Sequence, residues 1–382
     1  MTKKFFVIAG EASGDLLGSK LISEIKAVES NAEFIGVGGN LMEKEGLTSI
    51  FPMNELSVMG FFEVLPHIFK LLSRIKETAK TIVREQPDYI ITIDSPDFCF
   101  RVIKKLPRSF SKKIHLIAPS VWAYRSGRAK KIAKIYDLLL CILPFEPPYF
   151  EKYNLRSIFI GHPIIEKAPD FSKKEQKNLE FRKKFHIEKE DKLIVITPGS
   201  RISEVKKIFP EFIKAINILS QKFDNLKVVI PLTSKTKDLV DEMAKDLRVP
   251  YFLINQNEKE EMFFASDFAL AKSGTNTMEI SLFQIPMILA YKLNSLSYFL
   301  IKMMVKIKFA NLINLILNKE IIPEMLQSKC RGELISQRFE SLIVNKDLVL
   351  NQLNESKKAL EILGLNNGEI PSKKAALEIL KL

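Results

Sequence analysis

Residues 5–15, Phe-Phe-Val-Ile-Ala-Gly-Glu-Ala-Ser-Gly-Asp, join a short apolar run to a turn bounded by two glycines. Apolar residues at helical spacing follow, from Leu16 to Ile25. This order is typical of the beginning of an α/β fold with a parallel sheet, in which a buried strand is followed by a tight turn and an amphipathic helix. The stretch therefore predicts a first strand at residues 5–9, and its apolar run is too short for a secretory signal.

The same alternation of short apolar runs and longer amphipathic segments continues along the chain. It pauses in the charged segment 167–192 and then restarts. This pattern predicts an α/β protein with two doubly wound, Rossmann-like domains. The predicted strands are residues 5–9, 34–37, 89–93, 114–118, 138–143, 193–197, 228–231, 251–254, 268–271 and 287–291.

The pause sets the expected domain limits. We expect the first Rossmann-like domain at residues 1–168, the second at 169–345 and a helical tail at 346–382. Open α/β sheets bind ligands in a crevice at the carboxyl ends of their strands. Functional side chains are therefore expected in loops that directly follow strands.

Composition limits the classes of partner. The 382 residues carry a formal charge of +13, so the surface attracts anions: nucleic acid, phosphorylated metabolites or anionic lipid, among which charge alone does not choose. Hydrophobic residues make up 46% and charged residues 27%, which excludes a disordered chain. The cysteines, Cys99, Cys141 and Cys330, are widely spaced and indicate reduced packing residues of a cytosolic protein, not a disulfide framework.

The turn after the first predicted strand contains Gly10, Ser13, Gly14 and Asp15. Glycines let a backbone approach a ligand closely, and a helix amino terminus favours negative charge. The alternative is a plain strand-to-helix turn in which Ser13 or Asp15 caps the helix. The spacing is not that of a dinucleotide-binding glycine motif, so no nicotinamide cofactor is predicted.

Two carboxylates, Asp94 and Asp97, follow the apolar run 89–93, and Pro96 turns the chain out of the sheet. A carboxylate at such a strand end can accept a proton from a sugar hydroxyl. One of the two is therefore a candidate general base. The alternative is that either carboxylate caps the following helix.

Residues 118–125, Ala-Pro-Ser-Val-Trp-Ala-Tyr-Arg, follow another predicted strand and precede a basic helix. Trp122, the only tryptophan of the chain, is a candidate for lining a sugar or anionic-lipid site. A solvated basic face beside a half-buried aromatic ring is the alternative. Because the basic residues are not interleaved with stacking aromatics or any recognised motif, nucleic acid is excluded as a partner.

The second predicted domain has two polar loops after strands. Residues 197–201, Thr-Pro-Gly-Ser-Arg, end in Arg201, whose planar fork of donors suits phosphate. Residues 272–275, Lys-Ser-Gly-Thr, begin a helix whose backbone N–H groups can face a pyrophosphate, and Glu279 lies one turn further in. Either loop alone is weak evidence for a ligand site, but the two loops together favour a site for a nucleoside diphosphate.

The four histidines, His67, His115, His162 and His186, are not at metal-ligand spacing, so no catalytic metal is predicted. Two apolar segments flanked by lysines, residues 61–76 and 293–317, suggest shallow docking on an anionic membrane surface. Ordinary core helices are the alternative. Lysines interrupt the second segment, so it does not predict a membrane span.

The motifs, taken in order, resemble those of the lipid-A-disaccharide synthases from Gly10 to Gln327. The resemblance implies a glycosyltransferase-B architecture and transfer from UDP-2,3-diacylglucosamine to 2,3-diacylglucosamine 1-phosphate (lipid X) through a β-1,6 linkage. It also implies a peripheral place on the cytoplasmic face of the inner membrane. The matching stretches are AGEASGD, ELSVMGFFEVL, IDSPDF, PSVWAY, LPFE, IGHP, PGSR, SGT with Glu279, and NLILNKEIIPEMLQ.

The resemblance also implies roles for single residues. Residues 1–168 become the acceptor-side domain, with Asp97 as the general base, and residues 169–345 bind the UDP-sugar. No cofactor is implied, and the partners are a UDP-activated acylated glucosamine, an anionic glycolipid acceptor and an anionic membrane surface. A monomer and a homo-oligomer are both compatible with the sequence. The implied substrate-binding residues are Gly10, Ser13, Gly14, Asp15, Arg201, Ser273, Gly274, Thr275, Glu279, Asn314 and Gln327.

Two other functions fit part of the pattern. A different enzyme of the same fold, such as a UDP-N-acetylglucosamine 2-epimerase or the lipid-linked transferase of peptidoglycan synthesis, would share the architecture. A lipid-binding protein without catalysis would explain the basic and apolar segments. It would have no use for both a phosphate turn and a pair of strand-end carboxylates.

Overall fold

The structure, a computed structural model, describes residues 2–56, 68–107, 109–294, 298 and 307–382. The chain forms two compact units. Met1–Glu166 and Asn366–Leu382 make up the first unit, and Lys167–Leu365 makes up the second.

The first unit is built on a sheet that has seven strands within the described residues, in the order β3-β2-β1-β4-β5-β6-β7. All of its strand pairs are parallel. The strand order reverses between β1 and β4, which places the topological switch point at their carboxyl ends. The strands are β1 Lys4–Ala9, β2 Glu33–Val37, β3 Leu47–Ser49, β4 Tyr89–Ile93, β5 Lys112–Leu116, β6 Leu138–Cys141 and β7 Arg156–Phe159.

The apolar run that opens the chain forms β1, the strand on one side of this switch point. Phe5 to Ala9 are buried without exception, as expected for a central parallel strand whose two faces are both covered by helices. Phe5 stacks on Phe34 of β2 and Tyr89 of β4, with ring centroids 5.1 and 4.8 Å apart. The described helices of this part of the chain are α1 Ala12–Val28, α2 Asn40–Lys44, α3 Ile68–Glu85, α4 Pro96–Ile103, α5 Arg128–Ile132 and α6 Pro148–Glu151.

The second unit repeats the architecture around a sheet that has six strands within the described residues, in the order β10-β9-β8-β11-β12-β13. These strands are also parallel. Its switch point lies between β8 and β11. The strands are β8 Lys192–Thr197, β9 Leu226–Pro231, β10 Tyr251–Ile254, β11 Phe268–Lys272, β12 Met287–Tyr291 and β13 Glu324–Leu326.

Helices cover both faces of this second sheet. The apolar face of the long helix α8 is buried against the strands, with Phe209 and Phe212 inaccessible to solvent. The described helices of the rest of the chain are α7 Lys174–Lys184, α8 Ile202–Leu219, α9 Lys237–Ala244, α10 Lys259–Ala265, α11 Thr275–Leu282, α12 Leu312–Leu317, α13 Gly332–Val344, α14 Lys346–Ile362 and α15 Pro371–Leu380.

The predicted α/β class and the ten predicted strands are confirmed, with differences at their ends. β5 ends at Leu116 and not at residue 118, because Ile117 leaves the extended region with φ of 76°. Three strands were not predicted, namely β3, β7 and β13. Each has three or four residues and lies at a sheet edge, so it presents too short an apolar pattern to detect.

The expected tail at residues 346–382 is divided between the two units. The helix α14 packs on α11, α12 and α13, whereas α15 packs on α1. Ala375, Ala376 and Ile379 of α15 are buried in the core of the first unit. The tail is therefore an integral part of two cores, because each of its helices has its own apolar face.

Candidate active site

The switch point of the first unit brings two of the predicted loops together. Gly10 follows β1 and Ser95 follows β4, and these strands are neighbours. A Cβ at position 10 would lie 2.4 Å from Ser95 Oγ, so only glycine permits this approach. Gly14 in turn packs against Ala9, where an added Cβ would meet the Ala9 side chain at 3.2 Å. Gly10 thus lets the first loop lie against the carboxylate loop, and Gly14 lets α1 begin close to the end of β1.

The carboxylate loop has an unusual backbone. Asp94 and Ser95 both adopt the left-handed region, with φ of 49° and 43°, which L residues rarely visit. The Asp94 N–H donates to the carbonyl of Leu116 at 3.0 Å, which anchors the turn to β5. The Asp94 side chain is half-buried, and this burial raises its pKa, opposed by a hydrogen bond from the Ser95 backbone.

Asp97 lies in the first turn of α4 and presents its side chain to solvent, 77% exposed. Its Oδ1 accepts a hydrogen bond from Arg128 Nη2 at 2.7 Å. Among the described residues, its Oδ2 has no hydrogen-bond partner. The arrangement thus offers one carboxylate oxygen for chemistry while Arg128 fixes the other.

The other first-loop candidates differ in their surroundings. Ser13 is exposed at the start of α1. Asp15 is nearly buried and accepts hydrogen bonds from the backbone N–H groups of Gly39, Leu41 and Met42 at 2.9 to 3.1 Å. Asp15 therefore caps α2, the second helix of the chain, and not the helix in which it lies.

The next two strand ends hold an aromatic site. Trp122 donates its indole N–H to Glu146 Oε1 at 3.2 Å and packs edge-on against Phe145, with centroids 5.2 Å apart. Glu146 Oε2 accepts from the backbone N–H groups of Ile142 and Leu143 at 3.2 and 3.0 Å. Burial raises the pKa of Glu146 to about 7, against the lowering effect of these hydrogen bonds. Glu146 thus fixes the Trp122 ring through a buried carboxyl.

In the second unit the two predicted phosphate loops lie side by side. Asn276 Nδ2 donates to Thr197 Oγ1 at 2.6 Å, which joins the loop after β11 to the end of β8. Gly199 has φ of 127°, and a Cβ there would lie 2.9 Å from Glu204. The loops therefore meet at the switch point of this sheet, where ligands of open α/β sheets bind.

Two cations surround this point. Lys272 ends β11 and forms an ion pair with Glu204 at 2.9 Å, and its ammonium lies 5.3 Å from the centroid of the Tyr291 ring. Arg201 precedes α8, is mostly exposed and lies 3.8 Å from the same Glu204 carboxylate. One buried acid thus holds two positive groups beside the exposed Gly274-Thr275 turn. Such a set is suited to a diphosphate.

Glu279 lies on α11, the helix that starts at this turn. Its carboxylate binds Lys167, at 3.2 Å, and Lys259. Burial tends to raise the pKa of Glu279, but the two lysines together lower it below its ordinary value. The carboxylate is therefore ionised at neutral pH and can accept hydrogen bonds from hydroxyl groups.

Asn314 and Gln327 stand in different environments. Asn314 is fully buried, and its Oδ1 accepts from the N–H groups of Ile321 and Ile322 at 2.8 and 2.9 Å. Its Nδ2 donates to Ile322 O and to Glu324 at 2.7 and 2.9 Å. The side chain is thus committed to shaping the loop. Gln327, with φ of 52°, lines a cavity of about 840 Å³ after β13.

Sequence reasoning missed three partners at these sites. Arg128 belonged to a basic helix with no assigned partner, Glu146 stood in a matching motif with no role, and Lys272 was the unassigned first residue of the turn. Arg128 begins α5, Glu146 follows β6 and Lys272 is the last residue of β11, all on the predicted ligand edge. A search for every charged residue in those loops would have found them.

Two further observations concern metals and membranes. The described residues contain no cluster of three or more histidine, cysteine or acidic side chains placed to hold a metal ion. Among the described helices, none combines the length and the apolar character needed to cross a bilayer. Residues 61–67 of the first predicted membrane-docking stretch, and residues 295–297 and 299–306 of the second, lie outside the described residues.

Solved structures share this architecture over the whole chain. The S. aureus MnaA-UDP co-structure has a TM-score of 0.62 and 14% identity, covering 100% of this chain and 96% of that chain. Acinetobacter baumannii MurG has a TM-score of 0.60 and 8% identity, covering 100% of both chains. At these identities the likeness concerns the fold, which is that of the glycosyltransferase-B proteins.

Sequence comparisons are more specific. The model of the family described as lipid-A-disaccharide synthetase matches residues 5–379. A lipid-A-disaccharide synthase of Rickettsia akari is 43% identical over 385 residues, covering 100% of this chain and 96% of the relative. Another, from Rickettsia bellii, is 43% identical over 375 residues, covering 97% and 96%. The chain therefore belongs to the lipid-A-disaccharide synthase family.

Proposed function

We propose that the protein condenses UDP-2,3-diacylglucosamine with 2,3-diacylglucosamine 1-phosphate, forming a β-1,6-linked tetraacyl-disaccharide 1-phosphate and releasing UDP. Family membership over nearly the whole chain supports this reaction. The structural observation that carries it is the junction of the two phosphate loops at Thr197 and Asn276, with Arg201 and Lys272 beside it.

The donor side of the reaction belongs to the second unit. Arg201, Lys272 and the N–H groups at the start of α11 supply positive charge for the diphosphate, so they stabilise the charge that grows as UDP departs. Glu279, kept ionised by its two lysines, accepts hydrogen bonds from the ribose hydroxyls. Asn314 and Glu324 shape the loop that presents Gln327 on the same side of the sheet.

The acceptor side belongs to the first unit. Asp97 Oδ2 takes the proton from the acceptor 6-hydroxyl as that oxygen attacks the anomeric carbon of the donor. The new bond forms on the face opposite the leaving UDP, so the configuration inverts and no covalent intermediate is needed. The positive groups of the second unit fill the role that a divalent ion has in other transferases.

Sequence identity separates this chain from the other enzymes of the same fold. A UDP-GlcNAc 2-epimerase from Neisseria meningitidis has a TM-score of 0.61 at only 13% identity. The synthases at 43% identity extend over the whole chain.

We further propose that the protein works as a peripheral protein on the cytoplasmic face of the inner membrane. Both substrates carry acyl chains, and the net charge of +13 favours an anionic surface. Phe69 of α3 is 83% exposed beside Lys70, which is the combination that shallow docking requires.

The test is to incubate the purified protein with donor and acceptor and to identify the product by mass. We expect the tetraacyl disaccharide and an equal amount of UDP, with undiminished rate in the presence of a chelator. Omission of the acceptor is the control and is expected to stop UDP release. An epimerised donor, UDP release without disaccharide, or a strict need for a divalent ion would each contradict the proposal.

A further inference from the structure

A small pocket opens beside Asp97, between α4 and α5. Its volume is about 220 Å³, which is below the roughly 300–1,000 Å³ of pockets that enclose a whole ligand. The pocket therefore fits one group of a larger molecule. Its lining residues are Pro96, Asp97, Phe100, Arg101, Lys104, Arg128, Lys131, Ile132 and Ile135.

The pocket is strongly positive. Four of its lining residues, Arg101, Lys104, Arg128 and Lys131, are cations, and Asp97 is the single acid among them. Arg128 is paired with Asp97, whereas the other three have no ion-pair partner among the described residues. Cations gathered in one concave place repel one another, so an anion that entered would relieve this repulsion.

The pocket also has an apolar side. Phe100, Ile132 and Ile135 lie among the lining residues, and Ile132 is buried in the core of the first unit. A free inorganic anion has no use for such a wall. An anionic group attached to an apolar molecule uses the cations and the wall together.

We propose that this pocket binds the phosphate group of an amphiphile. A guanidinium group and neighbouring ammonium groups are the donors that proteins use for phosphate. Under the proposed function, on which this source rests, the phosphate is the 1-phosphate of the acceptor glycolipid. A phospholipid headgroup at the membrane surface has the same chemistry and is the second source.

The position of Arg128 gives this site a catalytic consequence. Arg128 binds Asp97 Oδ1 at 2.7 Å and also lines the pocket. A phosphate in the pocket attracts the same guanidinium, so it places the amphiphile directly beside the carboxylate that acts as the base. The site would thus select phosphorylated acceptors and orient their hydroxyl at Asp97.

The first experiment measures binding without turnover. Hexadecyl phosphate in neutral detergent micelles is titrated into the protein by calorimetry, with hexadecanol as the uncharged comparison. We expect binding of the phosphate alone, weakened about 10-fold or more in the double variant Lys104→Glu, Lys131→Glu. The matched control is Lys105→Glu, Lys130→Glu, which changes the same charge on exposed neighbours outside the pocket. Equal weakening by both double variants, or no binding, would overturn the proposal.

The second experiment distinguishes the two sources. The acceptor KM is measured in neutral micelles, and sedimentation is measured with vesicles that contain phosphatidylglycerol and phosphatidylcholine. A raised acceptor KM in Lys104→Glu, Lys131→Glu with unchanged donor KM and unchanged sedimentation identifies the acceptor phosphate. Lost sedimentation with an unchanged acceptor KM identifies the headgroup. If hexadecyl phosphate binds but no disaccharide forms in any assay, the proposed function fails while the phosphate site stands.

Discussion

At the scale of single residues, the two strand-end carboxylates have opposite surroundings. Asp94 is half-buried in a left-handed turn that is tied to β5, and burial raises its pKa. Asp97 is exposed, and one of its oxygens is held by Arg128. A base has to reach a hydroxyl of an incoming sugar, and the exposed carboxylate meets that requirement better.

We expect Asp97→Asn to lower turnover by about 100-fold to 10,000-fold, the usual effect of losing general acid–base catalysis. The amide keeps the shape of the side chain but removes its basicity, so the donor KM should change little. Asp94→Asn is the matched comparison, because asparagine tolerates the left-handed region, and it should cost less. Steady-state rates and UDP affinity, measured for both variants, test whether Asp97 is the general base. Near-normal turnover in Asp97→Asn would remove that residue from the mechanism.

The single tryptophan, Trp122, reports the protonation state of Glu146. Because burial raises the pKa of Glu146 to about 7, the carboxyl that accepts the Trp122 N–H titrates near neutral pH. We expect the fluorescence of the folded protein to change with a midpoint near pH 7. Glu146→Gln should abolish this transition.

The raised pKa of Glu146 also makes the stability of the protein depend on pH. The folded protein keeps the Glu146 proton up to about pH 7, whereas the unfolded chain releases it near 4.5. The contribution of Glu146 to stability therefore declines as the pH rises through this window. Denaturant titrations at pH 5 and pH 8 should show it, and a flat fluorescence profile from pH 5 to 9 would rule out the raised pKa.

At the scale of elements, the first loop is a joint between two helices. Asp15 of α1 accepts three backbone N–H groups at the start of α2. Substitution by alanine leaves these donors without their cap, and losing a helix cap costs about 0.5–2 kcal/mol. We expect Asp15→Ala to lower the free energy of unfolding by about 2 kcal/mol, the upper end of this range, because three donors lose their acceptor. Denaturant titration measures this change.

Ser13→Ala is the control for this prediction, since Ser13 is exposed in the same loop. It should leave stability nearly unchanged while any contact with substrate would appear as a raised KM. If the Asp15 and Ser13 variants were equally stable, the capping role of Asp15 would be contradicted, and ligand binding would remain as its role.

Elements also explain how far the sequence could predict the structure. Long apolar runs such as 5–9 and 193–197 became central strands, because a strand covered on both faces must be apolar throughout. The edge strands β3, β7 and β13 were not predicted, because a run of three or four residues is too short to show a recognisable hydrophobic period. Asn314 matched a family motif, but its complete burial depends on the later strand β13, which no local pattern announced.

At the scale of the whole molecule, charge and apolar surface are expected to act together. We predict that sedimentation with phosphatidylglycerol vesicles weakens with salt but persists, because salt screens the lysines and leaves the apolar contacts. Phe69→Ser should remove much of the salt-resistant part. Val83→Ser, at an exposed position near the other end of α3, is the matched control. Binding that ignores both salt and lipid charge would refute this view of the surface.

The last helix of the chain, α15, belongs to the first unit and not to the second, which precedes it in the sequence. Residues 366–382 belong to the first unit although they follow the whole of the second. Ile379 of α15 is 0% exposed, whereas Leu377 on the same helix is 39% exposed. Truncating a buried isoleucine to alanine costs about 2–5 kcal/mol, so Ile379→Ala should lower the melting temperature of the first unit and Leu377→Ala should change it little. UDP, which the proposed function assigns to the second unit, should raise the melting temperature of that unit and so identify its transition in calorimetry. We expect the UDP-sensitive transition of Ile379→Ala to keep the melting temperature that it has in the unsubstituted protein. A single transition that is lowered as a whole by Ile379→Ala would mean that the two units unfold as one.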